Sequence, residues 1–145
     1  MTNFLEVYMW VSLMFIAIIA FLSIPLYVLF AIGLFEVSKR EKLKMPWLSF
    51  VPIANFYNLG LISLNNKNLS IALVVLSLLS MNVTFINLGI ISSLSFFAFV
   101  ILLYYTLYNF YKKVSNEPLV YLLISIFTLG FVVPIFIFMF RKKDF

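Results

Sequence analysis

Long apolar runs separated by short charged clusters set the pattern of this chain. Phe4 to Phe35 holds one charged side chain, Glu6, and neither Leu69 to Tyr111 nor Leu119 to Phe140 holds any. The carboxylates (Glu6, Glu36, Glu41, Glu117, Asp144) and all ten basic residues fall at the ends of these runs. A charge at the centre of a bilayer costs about 2.5–3.5 kcal/mol on insertion scales, whereas the interface tolerates it. The pattern predicts an all-α integral membrane protein, a single membrane-embedded helical domain over residues 1–145.

The first span lies within Phe4 to Phe35. About 20 residues cross the hydrocarbon core, so this run overshoots and the helix must tilt or protrude. Tyr8 and Trp10 suit an outer aromatic belt, and Pro25 predicts a kink in the inner half. The run is too long, and its leading charge too acidic, for a secretory signal; it reads as a retained span entering with its N-terminus outside. Glu36 and Arg40, four apart, suit an ion pair at the water boundary. The densest charge of the chain follows, Lys39-Arg40-Glu41-Lys42-Leu43-Lys44, which the positive-inside rule assigns to the cytoplasm.

Met45 to Gly60 is apolar but punctuated by Pro46, Pro52, Asn55 and Asn58. Such a stretch is a poor span, because backbone groups freed by proline have no water to bond with. A short helix opening near Pro46, a break at Pro52 and a second half-helix from Ile53 are expected, as an interfacial or re-entrant element with both asparagines satisfied by protein or water. Trp47, Asn55, Tyr57 and Asn58 are its candidate contact surface for a partner helix or a lipid headgroup, with Lys42, Lys44 and Lys67 meeting a headgroup phosphate.

The residues Pro46-Trp47-Leu48, Phe50, Pro52-Ile53-Ala54, Tyr57 and Leu59-Gly60 resemble a family of small multi-pass membrane proteins of Gram-positive bacteria. Those proteins carry a PWL-x-F-x-PIA-x-x-Y-x-LG signature after the first span. Leu107 to Lys113 and the ending Pro134 to Phe138 followed by Arg141 are similar as well. The resemblance implies a multi-pass architecture in a bacterial plasma membrane; it implies no activity.

The 43 residues from Leu69 to Tyr111 accommodate two spans and a turn. Asn82 to Asn87 offers turn formers but leaves a short first leg, lengthened by a snorkelling Lys67; Gly89 to Ser95 balances the legs. The first is preferred. Gly89 and Ser93 are a small-residue pair suited to helix packing, and Tyr104, Tyr105, Tyr108 and Tyr111 suit an inner aromatic belt. Leu119 to Phe140 is long enough to span, while Gly130 and Pro134 invite a re-entrant hairpin. Four spans place seven basic residues inside and three outside, as does a topology in which the proline-rich segment also spans; three spans with a final hairpin place all ten inside. Continuous length favours the plain fourth span, so about four transmembrane helices plus the proline-broken segment are expected, with three spans and a C-terminal hairpin as the alternative.

Composition narrows the chemistry. The chain has no histidine and no cysteine, which removes the commonest general base, thiolate nucleophiles and soft-metal ligands. No acid lies between Glu41 and Glu117 to serve a proton-coupled carrier. No enzyme activity and no cofactor are expected. The net charge of +5 sits in clusters beside apolar runs, where it meets anionic lipid headgroups rather than nucleic acid. The expected role is a small non-enzymatic membrane protein that packs against another membrane component, as accessory subunit, regulator or immunity-type factor. The alternatives are an oligomeric channel or transporter component, with Asn55, Asn58, Ser63, Asn82 and Asn87 along a polar path, and a lipid-binding membrane protein.

Overall fold

The computed structural model describes residues 2–81 and 89–143, and every regular element among them is helical. Helix α1 (Thr2–Arg40) is followed by a short 3-10 helix, Pro46–Phe50, then α2 (Asn55–Leu64), α3 (Lys67–Met81), α4 (Gly89–Val114), α5 (Pro118–Phe127) and α6 (Val133–Phe140). Two stretches, Asn3–Arg40 and Gly89–Val114, are long and apolar enough to cross a membrane.

Helix starts and stops follow from local chemistry. Pro46, Pro118 and Pro134 all sit at the first or second position of a helix, where no backbone N–H is needed and φ is already set. Asn66 caps α3, its Oδ1 accepting from the backbone N–H groups of Asn68 (2.9 Å) and Leu69 (3.4 Å). Helix α1 ends on Lys42 in the left-handed region (φ 53°). There the amide of Leu43 donates to Ser38 O at 3.0 Å and that of Lys42 to Lys39 O at 3.1 Å. Helix α5 ends the same way on Leu129 (φ 52°) and Gly130 (φ 84°), with Gly130 N–H donating to Ser125 O at 2.8 Å.

The expected break in the proline-rich segment is present: the 3-10 helix, a turn through Pro52 and Ile53, then α2. The expectation of a plain fourth span over Leu119 to Phe140 is not met. This run is two short helices, and Tyr121 near the start of α5 meets Phe136 and Phe140 of α6 (ring centroids 5.0 and 5.2 Å), so the chain folds back on itself. A ten-residue and an eight-residue helix measure about 15 and 12 Å, each well short of the ~30 Å hydrocarbon core. The alternative hairpin is the form the chain takes. Gly89 to Ser95 is helical, which removes that stretch as a turn; the preferred turn at Asn82 to Asn87 lies outside the described residues.

Packing is uneven along α1. Nearly every side chain from Asn3 to Pro25 is exposed, whereas Phe30, Ala31, Leu34 and Val37 are buried. Phe30, Leu34 and Val37 join Leu59, Ile62, Leu107, Phe110, Tyr111 and Ile137 in one core. Two glycines permit the closest approaches: Gly33 meets the backbone of Phe138, and Gly60 meets Ser70. The small-residue pair read from the sequence is not used in this way, since Gly89 faces open space and Ser93 is exposed; Ser92 and Ser95 are the buried positions. Nor does the tyrosine cluster form one belt. Tyr105 is exposed, but Tyr111 is fully buried, its Oη 2.8 Å from Ser125 Oγ, and ties α4 to the final hairpin.

Candidate functional site

The ends of α1, α4 and α6 and the start of α3 come together, and with them the basic residues. Arg141 pairs with Glu36 at 3.0 Å, so the carboxylate expected to face Arg40 is taken by a residue from the far end of the chain. Arg40 Nη1 reaches the backbone O of Lys143 (3.5 Å), Lys143 Nζ donates to Val114 O (3.0 Å), and Lys113 Nζ donates to Ile62 O. Lys143 and Lys113 thereby meet carbonyls that the C-termini of α4 and α2 leave unpaired, at the negative end of each helix dipole.

Between α1 and α2 this basic end holds a cleft of about 470 Å³, lined by Lys42, Leu43, Lys44, Met45, Tyr57, Asn58, Leu61 and Lys67. Five residues singled out from the sequence (Lys42, Lys44, Lys67, Tyr57 and Asn58) are thus brought together, from the turn after α1, from α2 and from α3. The side chains of all three lysines are exposed, and among the described residues no carboxylate lines the cleft. Its floor is built by Asn58, which is 1% exposed. Asn58 Nδ2 donates to Met45 O (3.0 Å), Pro46 O (3.4 Å) and Ser49 Oγ (3.0 Å). Ser49 Oγ lies 3.3 Å from Ser38 Oγ, which donates to Leu34 O at 2.7 Å. This buried chain of polar groups fastens the 3-10 helix to α1 and α2 and so fixes where Lys44 stands relative to Lys42 and Lys67.

The other two expected contact residues lie elsewhere. Trp47 is 56% exposed on the 3-10 helix and does not line the cleft. Asn55, only 4% exposed, turns instead toward an apolar chamber beyond α2, and its Oδ1 has no hydrogen-bond partner. The two asparagines were expected to be satisfied alike; only Asn58 is shown to be. Of the polar path suggested for a channel, Asn55, Asn58 and Ser63 are buried on α2, and Asn82 and Asn87 lie outside the described residues. Leu43, Met45 and Leu61 were missed as cleft residues. Leu43 and Met45 stand in the turn after α1, which carries no glycine to announce it, and Leu61 stands on α2.

Among the described residues the three lysines converge without a carboxylate in the lining, and flexible ammonium groups suit a phosphate as point charges. The apolar wall of Leu43, Met45 and Leu61 suits the glycerol end of an acyl chain. Comparison of the chain with protein-family models, with curated proteins and with solved structures gives no match.

Proposed function

We propose that the chain is a multi-pass, non-enzymatic protein of a bacterial plasma membrane that holds an anionic lipid headgroup in the cleft of Lys42, Lys44 and Lys67. The observation that carries this reading is the convergence of those lysines with Tyr57 and Asn58 in one cleft without a carboxylate. A surface lysine near an anionic leaflet contributes about 1 kcal/mol. Replacing all three with glutamine should therefore weaken retention of phosphatidylglycerol by on the order of 100-fold. Native mass spectrometry of the chain released from mixed phosphatidylglycerol and phosphatidylcholine nanodiscs reads this directly. Equal retention of the two lipids by the wild-type chain, or phosphatidylglycerol retention by the triple variant equal to wild type, would refute the site.

The same arrangement supports a topology. With the final hairpin returning to the start of α5, the basic clusters of α1, α3, α4 and α6 share one end, which the positive-inside rule sets in the cytoplasm. Three passages (α1, α3 and α4) then accompany two hairpins that enter and leave on the cytoplasmic side, and the N-terminus is outside. Single cysteines at Lys42 and at Lys142 should both resist an impermeant thiol reagent applied from outside, while one at Asn3 should label. Labelling of the Lys142 position alongside Asn3 would restore the fourth span.

A second reading has its own support. The exposed half of α1, Asn3 to Pro25, offers Trp10, Phe15, Phe21 and their neighbours as an apolar face left exposed among the described residues. That face suits packing against another membrane component, as an accessory or regulatory subunit would use it, or against a second copy.

A further inference from the structure

The lysine cleft carries more positive charge than an ordinary phospholipid headgroup can neutralise. Lys42 and Lys44 stand in the turn after α1 and Lys67 at the first position of α3, so two separate parts of the chain supply ammonium groups to one cleft. Glu41 precedes Lys42 but does not line the cleft, and Glu36 is paired with Arg141 at 3.0 Å. A phosphodiester headgroup brings a single negative charge and leaves two of the three lysines uncompensated. A phosphomonoester carries about −1.5 to −2 at pH 7 and presents three strong acceptor oxygens, one for each lysine.

The rest of the lining points the same way. Leu43, Met45 and Leu61 are apolar, and the Asn58 amide N–H groups are committed to Met45 O, Pro46 O and Ser49 Oγ. Tyr57 is left as the neutral donor of the lining. A hydroxyl shut away from water without a partner is costly, so an alcohol cap on the phosphate finds little here to bind. A bare phosphate needs nothing beyond the lysines. The remaining cations of the basic end do not take their place. Arg40, Lys113 and Lys143 reach backbone oxygens, and Lys39, Lys112 and Lys142 stand outside the lining. On the headgroup reading of the cleft, on which this rests, we infer that the site selects lipid phosphomonoesters, of which phosphatidate is the simplest, over phosphodiesters.

The test uses the full chain in phosphatidylcholine nanodiscs carrying equal amounts of phosphatidate, phosphatidylmethanol and phosphatidylglycerol, with native mass spectrometry counting the lipids retained. Phosphatidylmethanol is phosphatidate capped by one methyl group, so it loses the second charge while adding almost no bulk. Phosphatidate should be retained roughly tenfold more than either diester. Replacing Lys42, Lys44 and Lys67 together with glutamine should remove that preference. Replacing Lys39, Lys112 and Lys142 with glutamine changes the net charge equally and should keep it. All six side chains are exposed, so neither variant disturbs the core. An excess of glycerol 3-phosphate, the same headgroup without acyl chains, should not displace the lipid; displacement would overturn the lipid assignment in favour of a soluble phosphate ester. Phosphatidate retained no better than phosphatidylmethanol, with both above phosphatidylcholine, would overturn the proposal and leave an anionic-lipid site in place. Equal retention of all four lipids would remove the site itself. A preference that survives in the cleft variant, or falls equally in both variants, would also overturn the proposal, since the charge of the whole basic end would be the cause.

Discussion

Gly33→Leu should detach the C-terminal hairpin from α1. A Cβ at Gly33 would stand 2.9 Å from both Cα and N of Phe138 and 3.1 Å from the carbonyl carbon of Ile137. Those are backbone atoms and cannot rotate away as a side chain tip would, so α6 itself must move. Glycine-to-alanine replacement in a helix interior gains about 0.8–1.0 kcal/mol of propensity, while overpacking a tight contact costs about 1–3 kcal/mol. Alanine therefore gives a small net effect, and leucine, with three further carbons to place, a large one. Amide hydrogens of α6 should then exchange faster than in the parent chain, and the melting temperature should drop. Unchanged exchange over α6 would mean that the two helices do not meet along Gly33.

Asn58→Leu should loosen the segment that carries Lys44. It removes the side-chain donor to Met45 O, Pro46 O and Ser49 Oγ; Met45 O keeps the amide of Leu48 and Ser49 Oγ keeps Ser38 Oγ, so the loss is that of net hydrogen bonds, about 0.5–1.5 kcal/mol each. The segment Met45 to Phe50 should loosen from α2, visible as faster hydrogen exchange at the amides of Leu48 and Val51, which close its internal bonds. Phosphatidylglycerol retention should fall with it, although Lys42, Lys44 and Lys67 are all still present. Unchanged exchange and unchanged retention would show that the cleft does not depend on this amide.

The contrast between the two asparagines marks what the sequence could tell and what it could not. Pro46, Pro52 and the charges before them made the broken segment legible, because proline acts on the backbone locally. Which asparagine would find partners was not legible. The acceptors for Asn58 come from the preceding turn and from Ser49, whose placement depends on Ser38 in α1. The convergence of the lysines was half legible: clusters at run ends named the residues, but only the fold brings Lys67 beside Lys42 and Lys44. The final hairpin was set against a plain span and lost on length alone, although Gly130 and Pro134 were visible. What decides it is the buried contact of Tyr111 with Ser125 and Phe136, a long-range fact with no local signature. Gly33 and Gly60 escaped notice for the same reason, since a glycine chosen for another helix's backbone needs no small neighbour in its own sequence.

The uneven burial along α1 has a consequence for the shape of the molecule. Toward the basic end α1 packs against α6, α2 and the 3-10 helix, whereas from Asn3 to Pro25 nearly every side chain is exposed. Under the topology proposed above, the described residues would take up more lateral area in the cytoplasmic leaflet than in the opposite one, and such a body would relieve strain where that leaflet is stretched.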